Sequence, residues 1–290
     1  MEKQTNGSKP PVVVPKLAYR DDRFLNSADA RALRILSEYL EPQSRLRREC
    51  VQNTVVFFGS ARVLPRDRAL QALAELEAKA KQGDPSAETA QLKAARTAVQ
   101  MSRYYEDARE LARLVTEWSL SLNRGKDFLV VCSGGGSGVM EAANRGAVEA
   151  GGKSIGFNIV LPREQMPNRY ITPRLSFSFR YFFMRKLWFA QPAKALIVFP
   201  GGFGTMDEMW EFLTLLQTGK MHPRVVILLY GSKYWRRAIN FGWMLESGTI
   251  SRQDLNLVRY ADSPEQAFEI LKEKLGREPF LRPARPKRFF

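Results

Sequence analysis

Residues 199–211 read FPGGFGTMDEMWE, in which the end of an apolar run leads through three glycines into an acidic segment. The preceding run, ALIVF at residues 195–199, is typical of a buried strand, and a helix is expected from Thr205. A glycine-rich turn between a strand and a helix lets backbone N–H groups approach an anion, and the helix N-terminus adds about half a positive charge. The stretch therefore predicts an α/β unit with an anion-binding turn.

Strand-like and helical segments alternate over most of the chain. Strands are predicted at residues 54–58, 128–132, 153–160, 175–179, 195–199, 225–230 and 255–260, and helices at 28–49 and from about residues 138, 205, 232 and 263. This alternation indicates an α/β fold with a doubly wound, mainly parallel sheet and an N-terminal helical elaboration. Ligands bind beyond the C-terminal strand ends of such sheets.

The domain organisation follows from the same pattern. Residues 1–27, rich in Pro, Lys and Asn, are predicted to form a disordered or extended arm, and residues 28–275 a single domain. A helical pattern broken at Gly83–Ser86 predicts a hairpin insertion at about 66–98. Residues 276–290 form a predicted basic tail that carries Arg277, Arg282, Arg285, Lys287 and Arg288.

Composition restricts the partner. The 290 residues are 44% hydrophobic and carry 45 Lys and Arg against 30 Asp and Glu, a formal charge of +15 that favours an anionic partner. Nucleic acid, an acidic membrane surface and phosphorylated metabolites would all be attracted. A nucleic-acid motif is absent and the basic residues outside the tail are interspersed with acids, which disfavours nucleic acid.

The cysteine and histidine content argues against a disulfide framework or a metal site. The chain has two cysteines, Cys50 and Cys132, and one histidine, His222, and none of their spacings is typical of a metal site. The N-terminus does not resemble a signal peptide, and no apolar run approaches the roughly 20 residues of a membrane span. These features predict a soluble protein of the reducing cytoplasm without a membrane partner.

Three glycine-bearing strand ends are predicted to share one edge of the sheet: Gly59-Ser60, SGGGSG at 133–138 and PGGFGT at 200–205. Two glycine loops in one sheet suggest a phosphate-bearing ligand, whereas the alternative for any single loop is a tight turn. The fingerprint G-x-G-x-x-G fails because Val139 and Asp207 occupy its last position, which argues against a nicotinamide cofactor. GGKS at 151–154 follows a helix and precedes a strand, the reverse of a nucleotide-binding P-loop.

The carboxylates after the second loop allow two interpretations. Thr205-x-x-Glu208 matches a capping box, in which the Glu side chain accepts a hydrogen bond from the N-cap amide. A capping role leaves Asp207 and Glu211 unexplained, and carboxylates near a phosphate repel it. The alternative is a chemical role for Glu208.

These residues resemble a known family. PGGFGTMDE fits the PGGxGTxxE signature of the LOG (LONELY GUY) family, and a second motif is present in FFMRK at 182–186. The stretches VVCSGGGSGVMEAANRGA, GFNIVLPREQMPNRY and FLTLLQTGK are similar to the bacterial branch, so the resemblance runs from about Val55 to about Asp262. The resemblance implies a Rossmann-like fold and a homodimer or a larger oligomer with an even number of subunits. It also implies an enzyme that hydrolyses a nucleoside 5′-monophosphate to free base and ribose 5-phosphate without a cofactor.

The resemblance also implies the site. Arg185 and Glu208 are the expected catalytic pair, with Glu208 stabilising an oxocarbenium-like sugar or activating water, and Arg185 fixing the phosphate, the ribose or the carboxylate. The expected substrate-binding residues are Gly59, Ser60, Gly135, Gly136, Ser137, Lys186, Gly201, Gly202, Gly204, Thr205 and Glu211. The alternative is a carrier of a nucleotide or of the molybdenum cofactor on the same fold.

Overall fold

The computed structural model describes residues 14–81, 89–122, 129–162 and 166–276. The first 13 residues of the predicted arm, the predicted break at Gly83–Ser86 and the predicted basic tail after Gly276 lie outside the described residues. The chain divides into two compact units, Met1–Glu41 and Pro42–Phe290.

The first unit contains short helical segments joined by local hydrogen bonds. A 3-10 turn at Ala18–Arg20 precedes α1 (Asp22–Asn26), and the Asp21 carboxylate caps α1 by accepting from the N–H of Arg23. The Arg34 guanidinium donates to the Leu25 and Ser27 carbonyls at 2.6 Å each. The helix predicted at 28–49 is present as α2 (Arg31–Arg48).

The second unit contains a seven-stranded parallel sheet, which confirms the predicted fold class. Its strands are β1 (Thr54–Phe58), β2 (Val130–Ser133), β3 (Ser154–Ile159), β4 (Ser176–Phe179), β5 (Ala193–Val198), β6 (Val226–Tyr230) and β7 (Val258–Ala261), in the order β4-β3-β2-β1-β5-β6-β7. The predicted last strand began too early, because a 3-10 turn occupies Asp254–Leu257.

The helices are α3 (Arg66–Lys81), α4 (Thr89–Met101), α5 (Arg103–Ser121), α6 (Val139–Glu149), α7 (Phe182–Ala190), α8 (Phe203–Gln217), α9 (Ser232–Ala238), α10 (Phe241–Glu246) and α11 (Pro264–Leu275). Helices α3 and α4 contact each other. In the described ranges, no helix combines the length and the apolar character that crossing a bilayer requires. Helices α7 and α10 were missing from the sequence prediction, and so was α1, which lies within the arm predicted to be disordered or extended.

The order of the strands determines where a ligand-binding crevice forms at the edge of the sheet. The chain passes from β1 to β2 on one side of β1, and β5 and β6 lie on the other side. Strands β1 and β5 are therefore neighbours whose outgoing connections diverge, which is the topological switch point where parallel sheets form a crevice.

The two faces of β1 bury alternate residues. Phe57 belongs to a core cluster shared with α5, α6 and α11. Phe58 points to the opposite face and meets the ring of Phe189 on α7 at 4.8 Å, and Phe189 also contacts Phe157 of β3 at 5.2 Å. Packing of Phe189 thus fixes α7 over the centre of the sheet, which determines where Arg185 lies.

Candidate functional site

The three predicted glycine tips converge on Ser60 at the end of β1. The Ser60 N–H donates to the Pro200 carbonyl at 3.0 Å, and the Ser60 carbonyl accepts from the Val139 N–H at 3.2 Å. The Ser137 hydroxyl donates to the Ala61 carbonyl at 2.9 Å. The segment after β1 therefore joins the loop after β2 to the loop after β5.

Some of the glycines serve tight packing. Gly138 has φ +66°, and a Cβ there would lie 2.3 Å from the Ser60 carbonyl oxygen. A Cβ at Gly201 would lie 2.2 Å from the Thr205 hydroxyl, and one at Gly59 would meet Val139. For these positions the tight-turn interpretation suffices.

Gly202 and Gly204 differ, because a Cβ at either position would meet nothing within 4 Å. Their φ angles do not require glycine, since neither lies in the left-handed region. Gly202 is the N-cap of α8, and within the described residues no acceptor is found for the N–H groups of Gly202, Phe203 and Gly204. Open space beside unpaired amides at a helix N-terminus is an arrangement that binds anions.

Arg185 lies on α7 with its guanidinium between two rings, 5.2 Å from the centre of Phe182 and 5.6 Å from that of Phe189. Its Nη2 is 3.5 Å from Oε1 of Glu208, and its side chain is 12% exposed. The buried Nε has no hydrogen-bond partner in the described part of the chain. Burial lowers the pKa of Arg185, against the opposing charges of Glu208 and Asp207. An unpaired guanidinium N–H is available for a ligand.

Lys186, the next residue on α7, forms ion pairs with three carboxylates of α8. Its Nζ lies 2.8 Å from Asp207, 2.9 Å from Glu211 and 3.5 Å from Glu208. Burial lowers the pKa of Lys186, but the ion pairs with Asp207 and Glu211 outweigh it and leave the pKa above its ordinary value. Lys186 is therefore a fixed cation that offsets charge on carboxylates which would otherwise repel a phosphate.

Glu208 is a carboxylate almost without solvent contact, 1% exposed. Burial raises its pKa to about 7, against the cations Lys186 and Arg185, while Glu211 and Asp207 raise it further. Neither oxygen accepts a well-formed hydrogen bond from the described residues. The capping-box interpretation is wrong, because α8 begins at Phe203 after its N-cap Gly202, and Thr205 lies inside the helix.

Several residues of the site were not predicted. Asn168 donates to the carbonyls of Gly135 and Gly136, and Tyr234 donates to the carbonyl of Gly201. Asn168 lies within the family-like stretch GFNIVLPREQMPNRY, which was the available signal, whereas nothing in the local sequence singles out Tyr234.

The aromatic residues from β4 into α7 differ in burial. Phe177 and Phe179 are buried, whereas Phe182 and Phe183 are half exposed because the strand ends at Phe179 and α7 begins at Phe182. His222 accepts a hydrogen bond from the Arg224 N–H at 3.2 Å in the turn before β6. Over the described ranges, no group of three His, Cys, Asp or Glu side chains is arranged to hold a metal ion.

Part of the chain is similar to known proteins. Residues 140–271 match the family model described as "Possible lysine decarboxylase". A cytokinin riboside 5′-monophosphate phosphoribohydrolase of Arabidopsis thaliana is 29% identical over 148 residues, 50% of this chain and 66% of that protein. A probable enzyme of the same name from rice (Oryza sativa subsp. japonica) is 33% identical over 122 residues, 41% of this chain and 47% of that protein. The chain thus spans about half to two thirds of the length of these relatives.

Two solved structures resemble part of this chain. A molybdenum cofactor carrier protein of Chlamydomonas reinhardtii is 19% identical with a TM-score of 0.45, covering 78% of this chain and 99% of that one. A molybdenum cofactor binding protein of Rippkaea orientalis is 21% identical with a TM-score of 0.41, covering 59% of this chain and 86% of that one.

Proposed function

We propose that the chain hydrolyses the N-glycosidic bond of a nucleoside 5′-monophosphate, releasing the free base and ribose 5-phosphate. Its similarity over about half of its length to proteins named as cytokinin riboside 5′-monophosphate phosphoribohydrolases supports this proposal. One observation carries this proposal: the buried carboxylate of Glu208, which accepts no hydrogen bond from the described residues, shares the helix whose N-terminus is the open, amide-lined Gly202–Gly204 turn. The same helix therefore offers an anion site and an acid–base group.

The spacing suits a nucleoside monophosphate. Glu208 is six residues beyond Gly202, which at 1.5 Å per residue is about 9 Å along the helix axis. A phosphate with close to two negative charges would bind the free amides of α8, and its ribose would extend toward the carboxylate. Binding energy from the phosphate would then position the anomeric carbon beside Glu208.

The chemistry required of the carboxylate is stabilisation of positive charge on the sugar, or activation of water, as the base departs. Either role needs the ionised form of Glu208. Arg185 remains protonated and can hold the ribose, the phosphate or the carboxylate through its unpaired Nε–H. Lys186 stays occupied with Asp207 and Glu211, so it keeps the second turn of α8 from repelling the substrate.

The decarboxylase named in the family description is less compatible with these residues. A pyridoxal enzyme needs a lysine that loses its proton to form a Schiff base. Lys186, the lysine in the site, has its pKa raised by its carboxylate partners. We therefore favour hydrolysis.

The test is an assay of the purified protein with AMP, GMP, CMP, UMP and a prenylated AMP, following the free base by chromatography. The prenylated substrate is included because the Arabidopsis relative is named for cytokinin nucleotides. Release of base from at least one monophosphate is expected. Tight binding of a monophosphate without release would contradict hydrolysis and favour a carrier.

We expect kcat to rise with pH and level off above about pH 7, because the carboxylate of Glu208 ionises as pH passes its raised pKa. The measurement is kcat at saturating substrate from pH 5 to pH 9, which reports the enzyme–substrate complex. A kcat constant from pH 5 to pH 9 would rule out Glu208 as the group whose ionisation limits turnover.

Gly204→Ala is expected to stabilise the fold while impairing the enzyme. Alanine in a helix is favoured over glycine by about 1 kcal/mol, and its Cβ would meet no protein atom. The same methyl group would occupy the space proposed for the phosphate, so KM for the monophosphate should rise about tenfold or more. Thermal denaturation and steady-state kinetics check the two effects. A Gly204→Ala variant with unchanged KM would place the phosphate elsewhere.

A further inference from the structure

Both glycine loops are held by a side-chain donor that binds their carbonyl groups. In each loop the donor comes from a distant part of the chain, residue 168 for the loop after β2 and residue 234 for the loop after β5. Neither donor belongs to the motifs that the sequence singled out as catalytic.

Asn168 holds the loop after β2. Its Nδ2 donates to the Gly135 carbonyl at 3.2 Å, the Gly136 carbonyl at 3.0 Å and Oδ1 of Asn144 at 2.9 Å. Its backbone N–H also donates to the Gly135 carbonyl at 2.8 Å. Asn144 is fully buried and is itself anchored, because it accepts from the Ser133 hydroxyl at 2.7 Å. The Asn168 amide group is therefore fixed in orientation.

Tyr234 holds the loop after β5. Its hydroxyl donates to the Gly201 carbonyl at 2.8 Å. The ring packs edge-on against Trp235 at 5.1 Å, and the Trp235 indole N–H donates to the carbonyls of Val198 and Tyr230. Helix α9 is thus joined to the end of β5 by Trp235 and to the glycine loop by Tyr234.

Fixing a carbonyl also fixes the next amide. In a trans peptide the C=O of one residue and the N–H of the next point in opposite directions, and the described chain has no cis peptide bond. Holding the Gly135, Gly136 and Gly201 carbonyls therefore turns the N–H groups of Gly136, Ser137 and Gly202 the other way. These three N–H groups have no acceptor in the described part of the chain.

We propose that Asn168 and Tyr234 are positioning residues that orient the amides of Gly136, Ser137 and Gly202 to bind the substrate phosphate. This inference rests on the proposed function for its ligand. Without the two side-chain donors the Gly136 and Gly201 carbonyls would be held less firmly, whereas the Gly135 carbonyl would keep its bond from the Asn168 backbone N–H. Part of the phosphate binding energy would then be used to order these peptides.

The test is Tyr234→Phe, which removes the donor hydroxyl and keeps the ring against Trp235. We expect the dissociation constants of AMP and of ribose 5-phosphate, measured by calorimetry, to increase about five- to tenfold, the value of one hydrogen bond. Tyr260→Phe on the edge strand β7 is the matched control, since that ring lies against Arg236, and both dissociation constants should be unchanged in this variant.

The loop after β2 is tested by substitutions of Asn168. Asn168→Ala should increase the dissociation constants of the same two ligands, and Asn168→Asp, which places a carboxylate against two carbonyls, should increase them further.

The outcomes separate this inference from the proposed function. If Tyr234→Phe binds ribose 5-phosphate as tightly as the unmodified protein at an unchanged melting temperature, the positioning role is overturned. It is also overturned if neither AMP nor ribose 5-phosphate binds the unmodified protein. If both ligands bind, Tyr234→Phe weakens both and no base is ever released, the positioning role is supported and hydrolysis is not.

Discussion

Glu208→Gln is expected to lower kcat by about a thousandfold or more while the monophosphate still binds. The amide fills the same volume but can neither stabilise the sugar cation by charge nor accept a proton from water, and such groups are typically worth about 10²–10⁴ in rate. The measurement is release of free base under single-turnover conditions. A variant that retains a tenth of the activity would leave Glu208 without a catalytic role.

The stability of this variant provides the control for folding. Burial raises the pKa of Glu208 from an ordinary value of 4.5 to about 7, so the folded protein retains a proton that the unfolded chain releases between these pH values. Glu208 therefore reduces stability progressively as pH rises from about 4.5 to about 7, by up to about 3 kcal/mol. The free energy of unfolding of Glu208→Gln, relative to that of the unmodified protein, should therefore increase from pH 5 to pH 8. Urea unfolding of both proteins at the two pH values measures this difference. A relative loss at pH 8 would mean that ion pairs with Arg185 and Lys186 dominate.

Removal of the 5′-phosphate is expected to reduce kcat/KM by about a thousandfold or more when adenosine replaces AMP. The unpaired amides at the start of α8 have no counterpart on a bare 5′-hydroxyl, so the binding energy that brings the sugar to Glu208 is lost. The measurement is kcat/KM for base release from AMP and from adenosine at equal enzyme concentration. Equal turnover of the two would show that the glycine loops do not bind the phosphate.

Gly204→Ala supplies the matched control for this comparison. If the methyl group excludes the phosphate, the variant should lose activity toward AMP and retain the low activity toward adenosine. The ratio of the two kcat/KM values would then shrink. An equal loss for both compounds would instead indicate damage to the sugar or base site.

Most of the strands could be predicted because each is a short local run rich in apolar residues, and β1 and β6 are buried along their whole length. Thr54–Phe58 coincides with β1, and the runs at 195–199 and 225–230 fall within one or two residues of β5 and β6. Helix α7 could not be predicted in this way, because FFMRKLWFA has aromatic residues on both its buried and its exposed sides and follows directly on an alternating strand. The motif within it was recognisable, but its helical geometry was not.

The residues by themselves determined the alternating α/β pattern and the glycine loops, and through the family signature they also identified Arg185 and Glu208 as partners. Tertiary structure decided how these residues behave. The N-cap of α8 is Gly202, three residues before the expected cap Thr205, and burial raises the pKa of Glu208. Desolvation and the direction of an amide depend on neighbours far away in sequence, such as Asn168 and Tyr234, and a local pattern contains no information about those neighbours.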